Sequence, residues 1–202
     1  MLLWTIQTEE AYLKLIKNGV LHADRKYIWK KFLPAYNWLI DEMKKRIGDP
    51  PEDVKYPIWV WYQYDGERKR RDLRYGGYAQ RGMPMVQLTI DIDEKNIVFS
   101  DFDNWHFVLN NMYLALNEED DNRFEKVYER EGFTLQDIHN LTLVNPCLEK
   151  CRKETVDSWQ RIFDIGRCEA EWDTPLERKT VQGTFWELKV DQVIKAEHFI
   201  AK

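Results

Sequence analysis

Short strand-forming segments stand at both ends of this chain and again in its middle, and helical repeats fill the stretches between them. A lone terminal strand leaves its backbone N–H and C=O groups without partners, so both ends are expected to join a common sheet. Leu2 to Ile6 reads as the opening strand. Thr8 can cap a helix whose apolar positions Tyr12, Leu15 and Ile16 share one face, and Asn18-Gly19 ends it before the exit Val20-Leu21. Pro34 suits the first turn of a second helix, in which Tyr36, Leu39, Ile40, Met43 and Ile47 recur until Gly48. Tyr56 to Tyr62 is β-branched and aromatic, hence a strand. Val86 to Ile92 alternates apolar residues with Gln87, Thr89 and Asp91, the pattern of a half-buried strand, and Ile97 to Phe99 is its expected hairpin partner across Asp93-Glu94-Lys95-Asn96. Ser100 to Asp103 offers caps for a helix carrying Trp105, Val108, Leu109, Met112 and Leu116; a charged helix follows from Glu118 to Arg130, and Thr134 starts another. From Pro146 to Ile165 the residues Leu148, Cys151, Thr155, Trp159, Ile162 and Phe163 form a buried stripe. Val181 to Val190 and Val193 to Phe199 close the chain as strands. The expected class is α+β: one mixed domain over residues 1–202, with a central, largely antiparallel sheet and flanking helices.

Apolar residues make up 44% of the 202, enough to fill a core, which excludes a disordered or disulfide-stapled scaffold. The net charge of −5 gives the whole molecule no attraction for nucleic-acid backbones or anionic lipid. No apolar run approaches the roughly 20 residues that cross a bilayer, so a soluble, cytoplasmic protein without a membrane role is expected. The three cysteines, Cys147, Cys151 and Cys168, are few and odd in number, in keeping with a reducing compartment.

Four groups could carry chemistry. The basic run Glu67 to Arg74, followed by Tyr75-Gly76-Gly77-Tyr78, is either a solvated loop or an anion or nucleotide contact, because guanidinium forks suit phosphate and aromatic faces stack on bases. Ser100-Asp101-Phe102-Asp103-Asn104-Trp105-His106 is either a helix cap or a site at a strand end. In Gln182 to Lys189, alternation puts Phe185 and Glu187 on one side, so Glu187 is either a carboxylate tuned by an aromatic environment or an ordinary edge residue. Cys147-x-x-x-Cys151 lacks the remaining ligands of a zinc site and reads as structural thiols, with no metal expected. The nine Trp and ten Tyr either line a cleft or fill the core.

Trp4-x-x-Gln7-Thr8, Gly19-Val20-Leu21, Phe32-Leu33-Pro34-Ala35-Tyr36-x-Trp38, Pro57-Ile58-Trp59-x-Trp61, Ser100-Asp101-Phe102-x-x-Trp105, Trp159-x-x-Ile162-Phe163 and Gln182-Gly183-Thr184-Phe185-Trp186-Glu187 together resemble a bacterial family classed as a domain of unknown function, DUF3841. The order of elements is also similar to ADP-ribosyltransferases of the diphtheria-toxin and DNA-modifying toxin type. That second resemblance implies that Gln7 and Thr8 meet the ribose and amide of NAD, that Tyr75 or Tyr78 stacks on nicotinamide, and that Arg74 and Ser100 complete the nucleotide site. It also implies a catalytic Glu187 that orients the 2′-hydroxyl and stabilises an oxocarbenium-like transition state. Gln7 departs from that family's His, and a neutral amide can hydrogen-bond a ribose but cannot carry a proton. The expectation is an ADP-ribosyltransferase-like protein that binds NAD or a related nucleotide and modifies a macromolecule, or has lost that chemistry. The alternative is a non-enzymatic protein that holds a protein or nucleic-acid partner through its aromatic residues and the basic loop 68–81.

Overall fold

Thr8 ends the first strand, β1 (Leu2–Thr8), and its hydroxyl accepts the Ala11 N–H at 3.1 Å to start helix α1 (Glu9–Asn18). Gly19 closes that helix at φ +77°, a conformation that a residue without Cβ adopts freely, and the chain turns into β2 (Val20–His22). Helix α2 (Leu33–Ile47) begins with Pro34 in its first turn and buries Ala35, Leu39 and Met43 at the expected spacing. Residues 1–74, 76–169 and 172–202 are described by this computed structural model, which divides into two compact units, Met1–Phe99 with Thr180–Lys202, and Ser100–Lys179.

The remaining strands are β3 (Ile58–Gln63), β4 (Pro84–Asp91), β5 (Val98–Asp101), β6 (Val181–Phe185), β7 (Glu187–Lys189) and β8 (Val193–Ile200). The class is mixed α+β. Six strands form one largely antiparallel sheet in the order β5-β6-β3-β1-β4-β8, and β2 pairs with β7 in a second. The first and last long strands therefore do enter a common sheet. The core of this first unit gathers Leu3, Leu15, Val60, Val86, Leu88, Ile90, Phe185 and Leu188. Gly183 is needed in it, since a Cβ there would stand 2.8 Å from the Ile97 side chain and 3.1 Å from that of Val60.

Three expectations are corrected. β4 and β5 do not form a hairpin. Both edges of β4 are already occupied, by β1 and β8, and Asp93 caps a short 3-10 turn that sends the chain to the far end of the sheet order. Val181 to Val190 is not one strand: Trp186 interrupts it, its indole N–H donating to the Gly48 carbonyl at 3.0 Å, and β7 leaves to pair with β2. Nor is β4 half-buried, because Gln87 is fully enclosed on the side expected to be wet, where its Nε2 donates to the Arg71 carbonyl at 3.2 Å.

The second unit is helical. Asp101 caps α3 (Phe102–Leu109), which stops short of Met112 and Leu116: Asn110 folds back on the His106 carbonyl, Asn111 takes φ +54°, and Tyr113, Leu114 and Ala115 are buried in succession. Then come α4 (Glu118–Glu129), α5 (Leu135–His139), started by the Thr134–Asp137 capping box, and α6 (Pro146–Ser158), which continues as a 3-10 turn. Tyr113 and Phe124 stack with centroids 4.0 Å apart, and Leu148, Cys151 and Ile138 complete that core. No helix among the described residues is long and apolar enough to cross a membrane.

Asp120 ties the second unit together by accepting from the Leu116 N–H, the Tyr113 hydroxyl, Arg123 and Arg161, all within 3.1 Å. Its partial burial works to raise the pKa, but these donors outweigh it and hold the carboxyl at about 2. A carboxyl depressed in the folded state stabilises above its ordinary pKa and loses that contribution as pH falls through the folded value. Asp120 is therefore expected to contribute about 2 kcal/mol that disappears between about pH 4 and 2. Urea unfolding of Asp120→Asn at pH 5 and pH 2.5 checks this: the variant should lose less stability across that interval than the wild type, and an equal loss would discard the assignment.

Candidate functional site

The strand pairing explains where a ligand can enter the first unit. β1 pairs with β4 over its whole length, from Leu2↔Asp91 to Thr8↔Met85, and β3 pairs with β6 from Ile58↔Phe185 to Gln63↔Val181. Between β1 and β3 the register holds at one pair, Trp4↔Trp61. The six strands thus behave as two three-stranded halves, and a cleft of about 540 Å³ opens where their pairing stops. That volume suits a drug- or nucleotide-sized ligand.

One wall is Thr5 to Thr8 of β1; the other is Pro57 to Trp61 of β3 with Gln182 of β6. Tyr36, Tyr78 and His22 complete the lining used below. Trp59 donates its indole N–H to the Tyr36 hydroxyl at 3.1 Å, and the two rings meet edge to face at 6.1 Å. Burial pushes the Tyr36 phenol above its ordinary pKa, so it stays neutral. Thr5 ties the two walls together, its hydroxyl donating to the Trp59 carbonyl at 2.8 Å.

That bond orients Gln7. With its proton committed to Trp59, the Thr5 oxygen can only accept, and it accepts from Gln7 Nε2 at 2.8 Å. The amide oxygen of Gln7 and its second N–H are then left for a ligand, the oxygen as an acceptor matched to a ribose hydroxyl or an amide N–H. Thr8 uses its oxygen on the α1 cap and keeps a hydroxyl proton to donate. Tyr78 is held by donating to the Asp72 carbonyl at 2.9 Å and by an edge contact with Phe199.

The family model for the domain of unknown function DUF3841 matches residues 2–194. The chain belongs to that family. No curated protein and no solved structure matches it.

Several residues on which the DUF3841 resemblance rests frame the cleft: Trp4 and Trp61 are the joining pair, and Gln7, Thr8, Trp59 and Gln182 line it. Of the site residues expected from sequence, Gln7, Thr8 and Tyr78 come together here. Glu187 lies directly across the β2–β7 ladder from His22, with Oε2 3.1 Å from His22 Nε2 and Oε1 3.5 Å from Lys189 Nζ. Its polar partners are therefore a cleft-lining His and a Lys, rather than the aromatic shell that an unbroken strand implies. Arg74 is directed elsewhere: its guanidinium forks onto Asp72, and its side chain is 85% exposed. The Arg74 hydrogen bonds hold the Asp72 carboxyl down at about 2. Ser100 is buried and falls in the second unit, and Tyr75 lies outside the described residues.

Sequence reasoning did not single out His22, Tyr36, Trp59 or Gln182 as ligand contacts. His22 gave no signal, since its partner Glu187 is 165 residues away, while Trp59 and Gln182 were visible only as motif members. The basic loop is largely tied to its own chain. Arg68 donates to the carbonyls of Tyr62 and Leu2 and lies 3.8 Å over the Tyr62 ring; Lys69 pairs with Glu67 and Arg70 with Glu197. Its charge is in large part answered within the protein. His106 Nδ1 donates to the Phe102 carbonyl of its own helix at 3.0 Å, and Asp101 is the α3 cap. Burial first, then the neighbouring Cys147, pushes the Cys151 thiol up to about 11, the state of an inert core thiol. Among the described residues no group of three or more His, Cys, Asp or Glu side chains could hold a metal ion.

Proposed function

We propose that the first unit of this DUF3841 protein binds NAD or a related nucleotide in the cleft between β1 and β3, and that its chemistry is ADP-ribosyl transfer to a macromolecule. The observation that carries this reading is the opening of the sheet at the Trp4↔Trp61 pair, which puts Gln7 and Thr8 on one wall and Trp59 and Trp61 on the other. A flat ring meets aromatic side chains there, and a ribose or carboxamide meets a fixed acceptor on Gln7 and a donor on Thr8. The Glu187–His22 pair stands beside the same cleft, where a carboxylate can stabilise positive charge developing on a ribose as nicotinamide leaves. The aromatic walls fix the leaving ring, and Gln7 and Thr8 hold the sugar still, so the work is positioning and electrostatics.

A thermal-shift titration with NAD, ADP-ribose and nicotinamide tests the reading. A ligand that binds only the folded protein raises its stability by about 2.7 kcal/mol at one hundred times its dissociation constant. The expected result is a saturable shift with NAD that is lost in Gln7→Leu. No shift up to millimolar NAD would overturn the proposal.

A further inference from the structure

Arg71 stands apart from its neighbours in the basic loop. Arg68, Lys69, Arg70 and Arg74 each have carbonyl or carboxylate partners, but no carboxylate among the described residues lies within ion-pair distance of Arg71. Its guanidinium is instead caged by rings, 3.5 Å from the centroid of Tyr64, 4.9 Å from that of Trp61 and 5.8 Å from that of Tyr78. Within that cage Nε and Nη1 are buried and make no hydrogen bond. Two of the rings, Trp61 and Tyr78, line the cleft, and Arg71 packs against them just outside that lining. Gln182, paired with Trp61 across the β3–β6 ladder and only 5% exposed, also lines it, and its Nε2 is a second buried donor without a partner.

Buried donors are costly unless something accepts from them, and no carboxylate among the described residues answers the charge of the half-buried Arg71. Among the described residues, the unpartnered buried acceptor beside Arg71 is Gln87 Oε1, which does not balance three donors and carries no charge. An oxyanion supplies both what is missing in charge and what is missing in acceptors, and a guanidinium fork matches phosphate geometry. We infer that the Trp61 end of the cleft is a phosphate subsite, in which Arg71 and Gln182 donate to the ligand's oxygens while Trp61, Tyr64 and Tyr78 hold the guanidinium in place. The inference rests on the cleft being a ligand site and narrows its occupants to compounds that carry a phosphate. It also moves the anion contact expected of Arg74 to Arg71, because Arg74 already has Asp72.

Isothermal titration at low ionic strength with pyrophosphate, ADP-ribose, nicotinamide and acetate separates the possibilities, using the wild type, Arg71→Met and Gln182→Leu. Pyrophosphate and ADP-ribose are expected to bind and acetate to bind far more weakly. Each substitution should lower the affinity for the two phosphate ligands by at least tenfold and leave that for nicotinamide unchanged. Arg71→Met keeps the apolar contact with the rings; should it lower the melting temperature, Arg71→Lys, which keeps the charge but loses the fork, should still weaken pyrophosphate severalfold. ADP-ribose binding that is the same in wild type and both variants would overturn the phosphate subsite while leaving the nucleotide cleft standing. Pyrophosphate binding that depends on Arg71, with ADP-ribose bound no better than pyrophosphate, would support the subsite and overturn the nucleotide reading. Absence of pyrophosphate binding to the wild type would also overturn the subsite.

Discussion

Asp101→Ala is expected to destabilise the second unit by about 3–5 kcal/mol, the usual consequence of stranding one partner of a buried ion pair. Asp101 and Lys179 lie 3.1 Å apart with side chains 2% and 1% exposed, and the Lys179 ammonium also donates to the Arg167 carbonyl at 2.5 Å. The same carboxylate caps α3, accepting from the N–H groups of Asp103 at 2.9 Å and Asn104 at 3.1 Å. Loss of such a cap adds about 1 kcal/mol. Asp101→Asn keeps an acceptor for the cap and should fall between the wild type and Asp101→Ala. The double variant Asp101→Ala/Lys179→Met should be less destabilised than Asp101→Ala alone, since it removes the stranded charge. Urea unfolding at pH 7, with hydrogen exchange reporting on Ser100–Lys179, measures the series; a loss under 1 kcal/mol for Asp101→Ala would show that the pair is not a support of this unit.

On the proposed function, Glu187→Gln should lower nicotinamide release from NAD by about 10²–10⁴-fold, the range over which a single charge or proton-handling group acts in catalysis. Gln has nearly the same shape and can still accept from His22 and Lys189, so NAD affinity and melting temperature should stay close to wild type. What it lacks is the negative charge that favours a cationic ribose. Chromatographic assay of nicotinamide beside a thermal-shift titration gives both readouts. Wild-type turnover in Glu187→Gln would remove Glu187 from the mechanism, and equal losses of affinity and turnover would make it a binding residue.

The local elements were legible because local chemistry writes them. Thr8, Gly19, Pro34, Gly48, Asp101 and Thr134 act where cap and turn rules place them, and the stripe Leu148, Cys151, Thr155, Trp159 and Ile162 is buried as its spacing requires. The misplaced strands were those with competing long-range partners, whereas α3 ends early for a local reason, the Asn110 side chain folding back on the His106 carbonyl. β4 has no edge left for β5, and Trp186 is drawn out of its strand by the carbonyl of Gly48, which lies 138 residues earlier. Periodicity reports the faces of a segment, not which strand lies beside it.

The candidate site divides the same way. The quoted motifs pointed to DUF3841, whose model matches residues 2–194, while Gln7, Thr8, Tyr78 and Glu187 were named through the resemblance to ADP-ribosyltransferases. Only the tertiary structure decided that β1 and β3 part after a single pair, that His22 faces Glu187, and that Arg74 is answered by Asp72 while Arg71 is not. Those outcomes depend on the register and pairing of segments distant in sequence. A caged, uncompensated guanidinium is a property of the whole packed surroundings and of no stretch of chain alone.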